Sequence, residues 1–319
     1  MKHNCTFCSG EAIAHVPHRG LRLCKYHFIN YVETEVENTI ARYSMLDNVA
    51  KLLVAVSGGK DSVALLHVLS RICERRKIEI VAVTIDLGIE GYSEECVRVS
   101  QQLCNMLGVR HIVVKLSDYG FTIDDVKKLE HRLRRPVCAV CGLAKRYLLN
   151  KIAIEEKCDA IATGHNLVDV AQYLFTNFLS GNIEAMQKLL PVTPGEEVLV
   201  KRIRPLYFIH EKETKLYTEL LGLPVVRYTC PYSERQTKHR RKPPFQEYLR
   251  AVLLDLDEKY PGTLFHFVEN FIRRVVPMLR TEQVGTFFRC KICGLPTSRP
   301  DEVCAFCRTV QLIRELKSG

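Results

Sequence analysis

The chain has 319 residues, 47% of them hydrophobic, and a formal net charge of +10. That is enough apolar length for one large domain or two or three smaller ones, and no apolar run approaches the roughly 20 residues of a membrane span. The opening residues, MKHNCTFCSG, lack the apolar core of a signal peptide. A cytoplasmic protein without a membrane partner is therefore expected. Its fourteen cysteines then read as metal ligands or catalytic groups rather than disulfides, and the positive charge fits an anionic partner such as nucleic acid.

In chain order, residues 1–30 carry Cys5, Cys8, Cys24 and His27 in the pattern C-x₂-C-x₁₅-C-x₂-H. Two knuckles with four soft or borderline ligands can close a tetrahedral structural zinc site. Residues 31–284 alternate two patterns. The runs KLLVAV, IEIVAVTID, RHIVVKL and CDAIATG are rich in β-branched residues and short enough for buried strands. Between them SVALLHVLSRICERR, SEECVRVSQQLCNMLG and CGLAKRYLLNKIAIEEK space apolar residues three and four apart, as amphipathic helices do. The alternation predicts an α/β fold, a parallel sheet covered on both faces by right-handed crossovers. Helical patterns dominate after Phe245. Residues 285–319 carry Cys290, Cys293, Cys304 and Cys307 as C-x₂-C-x₁₀-C-x₂-C, a second zinc set. Cys73, Cys96, Cys104 and Cys158 fall in or beside helical patterns and read as small core hydrophobes.

The first predicted strand runs into SGGKDS and then a helix. Gly58 and Gly59 can take positive φ and let backbone N–H groups converge on an oxyanion. The helix N-terminus that follows favours a phosphate, Ser57 and Ser62 add hydroxyls, and Lys60 adds charge. Asp61 would hold Mg²⁺ or cap the helix. The spacing is not G-x-x-x-x-G-K-[ST], which disfavours a kinase-like phosphate loop. SGGKDS resembles the pyrophosphate loop (PP-loop) of the N-type ATP pyrophosphatases, which adenylate a carbonyl oxygen and release pyrophosphate.

A third cysteine set differs from the first two. Cys138 and Cys141 open a predicted helix with no second C-x₂-C in the body, so they could be a redox pair, a half-site or coincidence. Cys230 follows the apolar run LPVVRY. If that run joins the sheet beside the turn, the three thiols converge at the mouth of the ATP site. Three thiolates suit an iron–sulfur cluster with one iron left open, or a redox centre that relays sulfur.

SGGKDS, DLGIEGYS, CAVCGLAKR, GHNLVD and CPYS, in this order and between two zinc modules, closely resemble the TtuA-type tRNA 2-thiouridine synthetases over essentially the whole chain. The resemblance implies a PP-loop ATP pyrophosphatase fold, HUP-like, with a five-stranded type of parallel sheet. It implies thiolation of a tRNA uridine with ATP, Mg²⁺, a [4Fe-4S] cluster and sulfur from a thiocarboxylated ubiquitin-like carrier protein. Ser57, Gly58, Gly59, Lys60, Asp61 and Ser62 would hold the ATP phosphates. Ala55 and Leu87 would line the nucleotide, and Gly164 would let backbone approach it. Lys145, one turn after Cys141, would neutralise charge on the α-phosphate, Asp169 would hold Mg²⁺ or orient the substrate, and Cys138, Cys141 and Cys230 would ligate the cluster. A homodimer is expected.

Two departures stand out. The family's usual NLDDEAQ is NLVDVAQ here, so Val168 and Val170 replace two carboxylates. The segment ERQTKHRRKPP is unusually basic, and Arg235, Lys238, Arg240, Arg241 and Lys242 are placed to grip RNA phosphates. DLGIEGYS favours the T-loop uridine as target. The alternatives are the wobble uridine, and, in another class, a zinc- and RNA-binding protein with a degenerate ATP site. Amidating pyrophosphatases would have no use for three convergent cysteines.

Overall fold

The computed structural model describes residues 3–195, 199–233, 244–279 and 288–318. Near the N-terminus β1 (Ala14–Val16) and β2 (Leu21–Leu23) form an antiparallel hairpin, followed by α1 (Lys25–Arg42). The body then alternates as the apolar pattern demands: β3 (Lys51–Ala55), α2 (Lys60–Arg76), β4 (Glu79–Asp86), α3 (Ser93–Leu107) and β5 (Arg110–Lys115). Three helices, α4 (Ile123–Lys128), α5 (Glu130–Leu133) and α6 (Val137–Glu155), return the chain to β6 (Ala160–Ala162). Next come α7 (Leu167–Leu179), α8 (Ile183–Gln187), β7 (Val192–Thr193), β8 (Lys201–Ile203) and α9 (Glu211–Leu221). The C-terminal part holds α10 (Phe245–Lys259), α11 (Thr263–Asn270), β9 (Phe288–Arg289), β10 (Pro296–Thr297) and α12 (Ala305–Ser318).

The central sheet has six strands in the order β5-β4-β3-β6-β8-β7. Five are parallel, as expected from buried β-branched runs, and two-residue β7 adds an antiparallel edge on β8. The chain leaves β3 toward β4 on one side and later places β6 on the other. Strand order therefore reverses at β3, and ligands of such sheets bind outside the carboxyl ends at that switch point. Residues 223–228 form no strand. The Val226 N–H donates to the Gly58 carbonyl at 2.9 Å, which sets Leu223 to Val226 beside the turn after β3; Pro224, with no N–H to give, suits a segment outside the ladder.

Hydrophobic packing joins the cysteine modules to the body. Leu23, Phe28, Val32 and Val36 are fully buried in the same cluster as Leu52, Val54, Leu65 and Leu69, each contributing roughly 1.5–3 kcal/mol. Helix α1 runs unbroken through residue 30, so the first ligand set and the body share one helix. On the opposite face Phe306 stacks on Tyr147 of α6 with ring centroids 3.9 Å apart. A third cluster gathers α7, α10 and α11. Cys73, Cys104 and Cys158 are buried, and burial pushes each thiol up to about 11, as core residues require. Among the described residues no helix is long and apolar enough to cross a membrane.

Helix α9 starts with a capping box, in which the His210 N–H donates to Glu213 Oε2 at 2.7 Å. Burial pushes the Glu213 carboxyl up to about 7 from 4.5, against the bonds from His210 and Tyr31. The stability this group contributes is complete below its ordinary value and lost as pH rises through about 7. Glu213→Gln keeps an acceptor for the cap and removes the titration. The gain in melting temperature of this variant over the native chain is expected to be larger at pH 8 than at pH 5; an equal difference at both would show that Glu213 does not titrate in this way.

Candidate active site

The turn after β3 is built by its own hydroxyls. Ser62 Oγ accepts the Ser57 N–H at 3.1 Å and donates to the Gly59 carbonyl at 2.9 Å. Ser62 is buried and Ser57 exposed, so Ser57 is the hydroxyl presented outward. Only Gly58 needs positive φ, at +73°, whereas Gly59 sits at −76°, where any residue fits. A Cβ on Gly58 would stand 2.8 Å from Val226 Cγ2 and 3.2 Å from the Cys96 carbonyl oxygen. A Cβ on Gly164, on the loop after β6, would stand 3.2 Å from the backbone of Asp61 and Ser62. Its lack of a side chain thus lets β6 seat against the start of α2. Ala55 ends β3, and buried Leu87 follows β4, so both stand at the carboxyl edge where a nucleotide would lie.

A lattice of charges surrounds this turn. Lys60 Nζ lies 2.7 Å from Asp61 and 3.8 Å from Glu211. Asp61 Oδ1 accepts the Thr214 hydroxyl at 2.6 Å, which ties α2 to α9 and explains an acid beside a phosphate-binding turn. Arg250 joins Asp169, at 3.0 Å, to Glu211. Asp169 also closes the capping box of α7 with Asn166. Burial pushes its carboxyl up against the pull of Arg250, and Asp61 adds to the rise. Val168 and Val170 are fully buried in the core of α7, α10 and α11. The two valines therefore extend the core, and Asp169 is the one acid of this stretch.

The three remaining cysteines come to one region beside the turn. Cys138 and Cys141 lie on the first turns of α6, and Cys138 Sγ contacts the Tyr232 carbonyl at 3.5 Å. Cys141 and Cys230 are half-buried on the same core cluster. Burial pushes the Cys230 thiol up, backbone N–H of Tyr232 opposes it, Cys141 adds to it and Lys145 lowers it. Lys145 is exposed on α6 and acts on Cys96 as well. These thiols are not among the groups whose ligand atoms crowd within 4.8 Å. The positive end of α6 favours the negative charge of a thiolate-bound cluster.

The two outer sets are closed. In Cys5, Cys8, Cys24 and His27, and in Cys290, Cys293, Cys304 and Cys307, all ligand atoms lie within 4.8 Å of one another. The Cys8–Cys24 and Cys293–Cys304 sulfurs are each 3.8 Å apart, matching the ~3.8 Å edge of a tetrahedron with metal–sulfur bonds of about 2.3 Å. His27 Nδ1 stands 3.3 Å from Cys24 Sγ.

Sequence reasoning located the turn and the thiols but missed Arg250, Glu211, Thr214 and Val226, which hold them. Arg250 sits in an ordinary amphipathic pattern, and only the fold brings it to Asp169. Arg235, Lys238, Arg240, Arg241 and Lys242 lie outside the described residues.

A phosphate-shaped turn at the switch point of a doubly wound sheet defines a nucleotide-binding α/β protein. The PP-loop domain family matches residues 30–241, and the N-terminal LIM domain of the 2-thiouridine synthetase TtuA matches residues 4–29. A tRNA-5-methyluridine(54) 2-sulfurtransferase of Pyrococcus horikoshii is 37% identical, over 98% of this chain and 95% of its own. The tRNA 2-thiolation protein NcsA of Haloferax volcanii is 32% identical, over 97% and 98%. The U34-tRNA thiolase NcsA from Methanococcus maripaludis, solved with its [4Fe-4S] cluster, superposes with a TM-score of 0.78 at 28% identity, over 98% and 96%. The chain belongs to the PP-loop family, in the TtuA-type group of tRNA 2-thiolation proteins.

Gly58→Ala combines a disfavoured φ, costing about 1–2 kcal/mol, with contacts that the Cys96 backbone cannot relieve. Calorimetric titration is expected to show a loss of ATP binding far larger than for Gly59→Ala. Equal affinities in the two variants would contradict the packing assigned to the turn.

Proposed function

We propose that this protein is a tRNA 2-sulfurtransferase that uses ATP to activate the C2 oxygen of the T-loop uridine and replaces it with sulfur, giving 2-thiouridine. The reading rests on one observation: the PP-loop turn and the three cysteines Cys138, Cys141 and Cys230 adjoin at the carboxyl edge of the sheet, linked by the Val226–Gly58 hydrogen bond. Oxygen on C2 is a poor leaving group. Attack of that oxygen on the α-phosphorus of ATP releases pyrophosphate and leaves an adenylate, and attack of sulfur on C2 then expels AMP.

Each residue has a part in this scheme. Ser57, the N–H groups of Gly58 and Gly59, Lys60 and the N-terminus of α2 take the ATP phosphates, while the Ser62 hydroxyl holds the turn closed. Ala55, Leu87 and the Gly164 backbone border the nucleotide. Lys145 neutralises charge on the α-phosphate as the adenylate forms. Asp61 and Asp169 are the carboxylates that would hold Mg²⁺, Arg250 keeping Asp169 in place. Cys138, Cys141 and Cys230 would hold a [4Fe-4S] cluster, which when bound supplies an iron with an open position for sulfur. The two closed sets take Zn²⁺ and stabilise the modules. A ubiquitin-like carrier brings the sulfur as a thiocarboxylate, in the cytoplasm. The assembly is a homodimer, for which Phe178, Leu179 and Ile183 offer exposed apolar surface.

Relatives named for position 54 are 34–37% identical to this chain, which supports the T-loop. The 28% identical U34 thiolase favours a second reading, the same chemistry at the wobble uridine. Unmodified tRNA incubated anaerobically with cluster-loaded protein, ATP, Mg²⁺ and sulfide, then digested and mapped by mass spectrometry, separates them. Sulfur is expected in the T-loop fragment; sulfur in the anticodon fragment moves the target, and none in either overturns the proposal.

A further inference from the structure

A second concentration of positive charge lies away from the PP-loop. Between α6, β8 and the C-terminal cysteine module is a cleft of about 300 Å³ bordered by Arg146, Tyr147, Asn150, Arg202, Arg299 and Phe306. That is the lower end of the range for ligand pockets, roughly 300–1,000 Å³. Among the described residues no carboxylate lies within ion-pair reach of Arg146 or Arg202; Arg202 donates instead to the Arg146 carbonyl, at 3.2 Å. At the rim Arg299 pairs with Asp301, which Arg308, outside the cleft, also contacts. Burial and the neighbouring Arg146 both work against the charge on Arg202. Cations held together without acids carry an unfavourable self-energy that a bound anion relieves.

The charge also has a direction. Arg202 lies on β8 and Arg204 follows directly after its last residue. Arg204 is buried, its guanidinium donating to the Leu190 and Lys188 carbonyls, while its Nε finds no partner. Both act on His165, which burial together with these two arginines holds down to about 4. His165 adjoins Gly164, which rests on the first residues of α2. The positive field of Arg202 and Arg204 thus reaches from the cleft to His165, at the edge of the PP-loop.

Resting on the tRNA reading above, we propose that this cleft binds backbone phosphate of the tRNA through Arg146 and Arg202, with Arg299 at its rim. Guanidinium forks match phosphate oxygens two at a time. Among the described residues three guanidinium groups border the cleft and only Arg299 has a carboxylate, Asp301, within ion-pair reach, which suits a polyanion running over the surface better than the single carboxylate at the end of a carrier peptide. The apolar wall of Leu143, Leu199 and Pro296 gives the adjoining sugar a surface to rest on.

The test is tRNA binding by the full chain across about 50–200 mM salt, comparing native protein with Arg146→Gln and Arg146→Gln/Arg202→Gln. Each phosphate contact adds about 0.7–0.9 to the slope of log affinity against log salt. Arg146→Gln is expected to lower the slope by roughly that amount and to weaken binding about fivefold near 0.15 M salt. Arg146→Lys should retain the slope, and ATP affinity and melting temperature should hold in all variants. Unchanged tRNA affinity and slope in the double variant overturn the proposal. So does a rise in KM confined to the carrier protein as sulfur donor, which assigns the cleft to the peptide. If native protein fails to bind or thiolate tRNA, the underlying reading falls instead.

Discussion

Gly58 has no room for a side chain, and the site is arranged around that fact. Its positive φ turns the chain from β3 into α2, while Val226 and the Cys96 backbone press on it from outside. On the other side the loop after β6 packs so closely on the same helix start that a Cβ on Gly164 would stand 3.2 Å from its backbone. The turn is therefore clamped between the two strands at which sheet order reverses. Its N–H groups are fixed before any anion arrives, so binding costs little reorganisation. Val226 and Cys96 link the clamp to the thiol region, because Val226 leads to Cys230 and Cys96 lies within electrostatic reach of both Cys230 and Lys145.

The second constraint is electrostatic. Asp61, Asp169 and Glu211 would repel one another beside a phosphate site. Lys60 and Arg250 hold them in one lattice, and Thr214 takes the remaining oxygen of Asp61. Polyphosphate would compete with these acids for Lys60, so the lattice is a resting arrangement that a nucleotide can exchange with. The same view accounts for Val168 and Val170. They face the core of α7, α10 and α11, and only Asp169 turns toward the charges.

Much of this was legible in the sequence because the signals were local. The strands from β3 to β6 are β-branched runs, the two closed metal sets have complete knuckles, and SGGKDS carries its turn and its helix start within six residues. Other features depended on contacts between distant segments. Arg250 meets Asp169 across 81 positions, and nothing in PFQEYLRAV marks it as a clamp. LPVVRY reads as a strand from its apolar content, yet Pro224 and a single bond to Gly58 leave it outside the sheet. Gly59 was indistinguishable from Gly58 until backbone angles separated them. The short β7 and β8 lack the length to register as strands, although β8 carries Arg202 of the cleft.

The central claim is that adenylation belongs to the PP-loop and sulfur transfer to the three cysteines, as two adjoining but separable devices. The most direct test is Cys230→Ser assayed anaerobically for tRNA-dependent pyrophosphate release and for 2-thiouridine in the same tube. The account predicts that pyrophosphate release persists while the thio-nucleoside disappears. Retention of thiolation by the folded variant, or loss of pyrophosphate release with ATP and tRNA binding intact, would contradict it.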